Sequence, residues 1–371
     1  MIRLSRSVVG ENEKRYLSKV IDEGYLGMGS FVKEFEAGLG KYFGERKVIA
    51  LSSGSAALHL ALMGIGLQPD DEVLVQSLTF VACFQSITAV GGIPVACEVE
   101  PDTCTIDLKD AESKITSKTR AIMPVHYASR TGDLDGVYKL AKKHDLRVIE
   151  DAAHAFGTIY KNRIIGSFGD IACFSFDGIK NITTGEGGAV VTGDEKVAEY
   201  VSDARLLGVH KDSEKRYTGK RSWEFDVMHQ GYRYHMSNLF AAIGLSQLER
   251  FENEFKPKRQ ALAKHYHRSL GSNSSLVLFP NDYDDVVPHM FPIRVLGGKR
   301  DALRESLLNN GIECGVHYYP NHLLSYYGAR NGALPLTEKV FSELLTLPLH
   351  PLLTDEEQQQ VIDTIKSFLR R

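Results

Sequence analysis

The sequence predicts an α/β protein, built as a large domain with a mainly parallel, helix-covered sheet and a small carboxy-terminal α+β domain. Three observations predict it. The chain has 371 residues, 43% of them hydrophobic and 25% charged, enough to bury one large core and one small one. From about residue 48 to residue 193, short β-branched runs alternate with helical patterns, as a parallel sheet requires. Beyond about residue 256 the pattern changes to a shorter mixture of strand and helix signals.

The strand runs of the first part are residues 48–51, 72–75, 94–97, 121–125, 147–150, 171–176 and 189–192. Helix patterns at 55–63, 107–115 and 134–144 lie between them, each with apolar residues at helical spacing. Residues 238–270 read as one long amphipathic helix through Ala241, Ile243, Leu245 and Leu248, with no proline before Pro257. It bridges the two domains, and the boundary is placed at 252/253, giving a large domain over 1–252 and a small one over 253–371. In the second part, residues 292–296, 302–308, 314–319 and 354–369 supply the elements, and Thr354 with Glu357 forms a capping box for the last helix.

Bulk properties exclude several classes. With 44 basic and 47 acidic residues the net charge is -3, which gives no field for nucleic acid or an anionic membrane. Residues 1–10 lack the apolar core of a signal peptide, and no stretch has the length of a membrane span, so a cytoplasmic protein is expected. Cys83, Cys97, Cys104, Cys173 and Cys314 are odd in number and scattered, without a Cys-x-x-Cys pair. They read as buried reduced thiols, and no metal site is expected.

Ligands of parallel sheets sit beyond the carboxyl ends of the strands, so motifs just after a strand carry the functional reading. Ser52-Ser53-Gly54-Ser55-Ala56-Ala57-Leu58 follows one strand and opens a helix. Free N–H groups and a positive dipole end there suit a phosphate, though small residues at such a turn also serve close packing. Glu150-Asp151-Ala152-Ala153-His154 sets a carboxylate at another strand end; Asp151 either faces a site or caps the next segment, and His154 is either a site residue or a satisfied core histidine. Residues 170–188 run from an apolar strand into a polar loop with Lys180, then Gly185, Gly187 and Gly188. A lysine so placed is either a solvated charge or, once desolvated, a nucleophile and proton carrier.

Ser53-Gly54-Ser55-Ala56-Ala57-Leu58, Glu150-Asp151-Ala152-Ala153-His154, Ser175-Phe176 with Lys180, Thr184-Gly185-Glu186-Gly187-Gly188, and Ala241-Ala242-Ile243-Gly244-Leu245 with Gln247-Leu248 together resemble the DegT/DnrJ/EryC1/StrS sugar aminotransferases. The likeness runs in order from Gly24-Tyr25-Leu26 to Leu347-Pro348-Leu349. It implies the aspartate aminotransferase fold (fold type I), a homodimer with shared active sites, and pyridoxal 5'-phosphate as cofactor, with pyridoxamine phosphate as its intermediate form. By the same resemblance Lys180 carries the cofactor as a Schiff base, Asp151 pairs with the pyridine nitrogen, His154 lies near the ring and Phe80 stacks on it. Gly54, Ser55 and Ser175 then contact the phosphate. Where many relatives have Gly-Tyr-Asn-Tyr-Arg, this chain has Gly231-Tyr232-Arg233-Tyr234-His235, which sets Arg233 at the place of an asparagine that reaches the partner's phosphate. Many relatives also have histidine at Asp177.

The implied reaction is transamination of a nucleotide-linked keto sugar, a 4-keto-6-deoxy hexose, with L-glutamate as donor. A 3-keto sugar, a cyclitol ketone and a cofactor-free regulatory scaffold are the alternatives. In Gly315-Val316-His317-Tyr318-Tyr319-Pro320, His317, Tyr318 and Tyr319 either hold the nucleotide by stacking and charge or form one face of a strand.

Overall fold

In the computed structural model, which describes residues 1–220, 223–280 and 282–370, the apolar runs of the first half become one sheet. The strands are β1 (Lys47–Leu51), β2 (Glu72–Gln76), β3 (Ile93–Cys97), β4 (Thr119–Met123), β5 (Arg147–Asp151), the small hairpin β6 (Ile159–Tyr160) and β7 (Arg163–Ile164), then β8 (Ile171–Ser175) and β9 (Gly188–Thr192). All but the hairpin join a seven-stranded sheet in the order β1-β9-β8-β5-β4-β2-β3. Pairing is parallel from β3 to β8, while β9 runs antiparallel to both neighbours. β9 can reverse direction because only a loop, not a crossover helix, separates it from β8. Strand β1, antiparallel to β9, therefore points the same way as β5 and β8. Their carboxyl ends, with the three motifs that follow them, share one edge.

Both faces of the sheet are covered. Phe35, Phe43, Phe174 and Phe176 belong to one buried layer, and Leu58, Leu62, Val75 and Cys83 to the other. The helix Gly54–Gly64 starts on Ser53, whose hydroxyl accepts the Ala56 N–H, and its largely apolar body is buried nearly all round.

A second sheet, β10 (Leu276–Leu278), β11 (Phe291–Val295) and β12 (Leu344–Leu347), is antiparallel. Helices Lys256–Leu270, Arg300–Asn309 and Asp355–Leu369 pack on it through Leu262, Tyr266, Leu303, Leu307, Ile362 and Ile365. Ile2 is buried in the same cluster and pairs with Ile312, so the amino terminus crosses to this part of the molecule. The expected capping box forms, with Thr354 accepting the Glu357 N–H and Glu357 returning the bond.

The long helix over 238–270 is helical throughout but not uniform. It consists of Asn238–Arg250, a π-helical turn Phe251–Phe255 and Lys256–Leu270. Pro257 has no N–H to give the carbonyl four residues back, and the Lys256 N–H reaches Phe251 O instead, widening one turn. Residues 314–319 form no strand; only Gly315 bridges Thr346 there.

Candidate active site

The loop after β8 holds Lys180. Its base is closed by the Phe176 and Thr184 N–H groups, which donate to Gly187 O and Phe176 O at 2.8 and 2.9 Å. The buried Asn181 amide donates to Phe156 O and Val287 O at 3.0 and 3.1 Å and anchors the far side. Gly185 turns the chain at φ +84°, a left-handed conformation that suits glycine. Lys180 is thereby fixed, the single cation among the described residues lining a cavity of about 340 Å³ whose walls include Gly54, Ser55, Phe80, Asp151, His154, Ser175, His317 and Tyr318.

Each wall follows from a strand end. Gly54 and Ser55 begin the helix after β1, and Ser175 ends β8. A Cβ on Gly54 would lie 2.8 Å from Ser175 Cβ, so the missing side chain is what lets the two segments touch. Asp151 ends β5 and is 6% exposed. Its Oδ1 accepts the Ala153 N–H at 3.0 Å and its Oδ2 accepts the Cys83 thiol at 2.9 Å. Phe80 stands at the rim, 55% exposed, with its ring 5.7 Å from that of Tyr318.

A stack of rings closes another side. His154 lies over His289 with centroids 4.5 Å apart, and its Nε2 is 3.1 Å from the Tyr318 hydroxyl. The Ala128 N–H points at His154 Nδ1 at 3.4 Å, which assigns the remaining ring proton to Nε2 and makes it the donor to Tyr318. His317 Nδ1 meets Thr346 Oγ1 at 2.9 Å, and its carbonyl accepts the Tyr127 hydroxyl.

Burial sets the protonation states. Loss of hydration lowers the Lys180 ammonium to about 8; Asp151 and Asp177 oppose the shift and Arg259 adds to it. Burial, and then the charge of Lys180, hold His154 and His289 well below the usual histidine range and bring His317 down to about 4. All three rings are neutral near pH 7. Burial also raises the Tyr318 phenol, with Asp151 the next cause, so Tyr318 keeps its proton.

Two residues singled out in the sequence lie elsewhere. Tyr319 is 52% exposed and rests edge-on against Phe341 at 5.2 Å, outside the cavity lined by its neighbours His317 and Tyr318. Arg233 is exposed and does not line that cavity; its backbone bridges Leu206. Conversely, the structure brings in Cys83, Asp177 and His289. Cys83 had a usable signal, three residues beyond Phe80 at the start of a helix. His289 had none, because its loop reaches His154 only through tertiary packing.

A half-buried lysine facing a strand-end carboxylate and a helix amino terminus, on this order of strands, is the plan of fold type I aminotransferases. Solved structures agree. The putative sugar aminotransferase Spr1654 of Streptococcus pneumoniae, in its PMP form, superposes with a TM-score of 0.92 at 30% identity, over 100% of this chain and 98% of that one. Helicobacter pylori PseC, an aminotransferase involved in the biosynthesis of pseudoaminic acid, gives 0.91 at 28% identity over 100% and 99%. The uncharacterized protein MJ1066 of Methanocaldococcus jannaschii is 34% identical over 98% of this chain and 96% of its own length. The chain belongs to the DegT/DnrJ/EryC1/StrS aminotransferase family, whose description matches residues 8–366.

Proposed function

We propose that this chain moves an amino group from an amino acid, L-glutamate, to a nucleotide-linked keto sugar, a 4-keto-6-deoxy hexose, with pyridoxal 5'-phosphate as cofactor. The observation that carries the reading is Lys180 and Asp151 lining one cavity with the helix amino terminus at Gly54. The residues suit the cofactor: unblocked N–H groups for a phosphate, a buried carboxylate for a ring nitrogen, an open aromatic face at Phe80, and an amine that sheds its proton near neutrality. When bound, pyridoxal phosphate supplies an aldehyde that takes an amino group and a protonated ring that draws electrons from the reacting carbon.

The chain's own residues do the rest. Gly54, Ser55 and Ser175 would hold the phosphate, and Asp151 would pair with the ring nitrogen. With the cofactor held there, Lys180 Nζ would carry the proton between the substrate carbon and the cofactor's exocyclic carbon. His154, kept neutral, orients Tyr318 through the bond at its Nε2. His317 and Tyr318 stand where an acceptor enters. The likeness to the putative sugar aminotransferase Spr1654 supports a sugar acceptor.

Arg233, exposed and away from its own cavity, fits a role at the phosphate of a second copy, and a homodimer with shared sites is part of this reading. So is the division into 1–252 and 253–371, supported by the π-helical turn at Phe251–Phe255.

The test is the visible spectrum of the purified protein before and after L-glutamate, then a panel of nucleotide-linked 3-keto and 4-keto sugars and cyclitol ketones. Glutamate should bleach the band of the lysine-bound cofactor and a 4-keto-6-deoxy sugar should restore it. Restoration by a 3-keto sugar or a cyclitol alone would move the acceptor. No band after added pyridoxal phosphate would defeat the Lys180 role and favour a cofactor-free scaffold.

A further inference from the structure

Asp151 is held from both sides. The Ala153 N–H occupies Oδ1 and the Cys83 thiol, at 2.9 Å, occupies Oδ2. Cys83 is fully buried at the second position of helix Ala82–Ala89. Its sulfur is also 3.4 Å from the hydroxyl of Thr79, which lines the cavity. Thr79, Cys83 and Asp151 thus form a chain of side chains from the cavity wall to the carboxylate. The turn that brings Phe80 to the rim delivers Cys83 beneath it.

An aspartate carboxylate turns readily about its last bond, because that torsion has broad, two-fold wells. One backbone donor on Oδ1 leaves that rotation loose; a second donor on the opposite oxygen fixes the plane. A thiol is a weak donor. It can hold the orientation while drawing little charge from the carboxylate, which stays basic enough to keep a proton on a neighbouring nitrogen. Burial, and next the Asp151 charge, push the Cys83 thiol up, so it remains a donor.

We infer that Cys83 is a positioning residue for the Asp151 carboxylate, pinning Oδ2 so that the carboxylate faces the cofactor ring nitrogen. The inference rests on the role given to Asp151 above. Cys83 touches neither substrate nor cofactor and acts through Asp151.

The experiment reads the ring nitrogen directly. Apoprotein is reconstituted with pyridoxal phosphate carrying ¹⁵N in the ring, and the nitrogen shift is followed against pH for the unaltered chain, Cys83→Ala and Cys83→Ser. The unaltered chain should show a protonated ring nitrogen at neutral pH. Cys83→Ala should lower the ring protonation constant about tenfold, roughly one pH unit. Cys83→Ser, which keeps a donor at the same place, should recover it to within about threefold. If Cys83→Ala does not accumulate folded, Cys83→Val keeps the volume without the donor and carries the same expectation.

An alanine or valine protein with an unshifted ring nitrogen overturns the inference and leaves the Asp151 role standing. A serine protein that falls with alanine also overturns it, since packing rather than the bond would then be responsible. An unprotonated ring nitrogen in the unaltered chain defeats the Asp151 role itself, and the Cys83 inference with it.

Discussion

Lys180 gives the most quantitative prediction. An ordinary lysine titrates near 10.5, and burial brings this one to about 8. The difference of about 2.5 units makes the neutral amine about 300-fold more abundant at low pH than in a free lysine, and about a tenth of the protein carries it at pH 7. Only the neutral amine attacks an aldehyde. The assay is the rate of pyridoxal phosphate capture by apoprotein at limiting cofactor, from about pH 6 to 11, divided at each pH by the rate with N-acetyl-lysine. The division removes the ionisation of the cofactor. The ratio should stay level up to about pH 8 and then fall about 150-fold by pH 10.5, as the free lysine catches up. Asp177→Asn removes a charge that holds the ammonium form and should move the break below pH 8. A ratio that stays level through pH 10.5 would mean an unperturbed lysine, and the account of the cavity as a desolvated site would fail.

Two further outcomes follow from packing. Gly54→Ala places a methyl group 2.8 Å from Ser175 Cβ, and overpacking of that kind costs about 1–3 kcal/mol. Since both segments form the phosphate cradle, the cofactor Kd from fluorescence titration should rise about tenfold or more, and an unchanged Kd would show that the two segments need not touch. Tyr319→Ala gives up an edge-on contact with Phe341, about 0.5–1.5 kcal/mol of stability in a melting experiment. The KM for the sugar nucleotide should stay within about twofold, and a tenfold rise would return Tyr319 to the acceptor site.

Part of this site is legible in the chain because it depends on local order alone. Ser53 caps a helix wherever that helix lies, Gly185 permits a left-handed turn, and Thr354 with Glu357 starts the last helix. Residues 48–51, 147–150 and 171–176 declare themselves as strands through β-branched and apolar runs, and β1, β5 and β8 occupy nearly those bounds. The motifs behind them could therefore be read as strand-end motifs before any fold was known.

Tertiary structure decided the rest. Whether three strand ends meet depends on strand order and direction, and β9 had to run antiparallel between β1 and β8 for Gly54, Asp151 and Lys180 to share an edge. Spacing did not separate Tyr318 from Tyr319; packing did, by seating Tyr319 on Phe341 and Tyr318 beside His154. His289 and Cys83 enter through contacts made across 135 and 68 residues, His289 with His154 and Cys83 with Asp151. The physical reason is the same in each case: capping, turn geometry and strand propensity are properties of neighbours in sequence. Burial, pKa and the meeting of side chains depend on which surfaces the whole chain removes from water together.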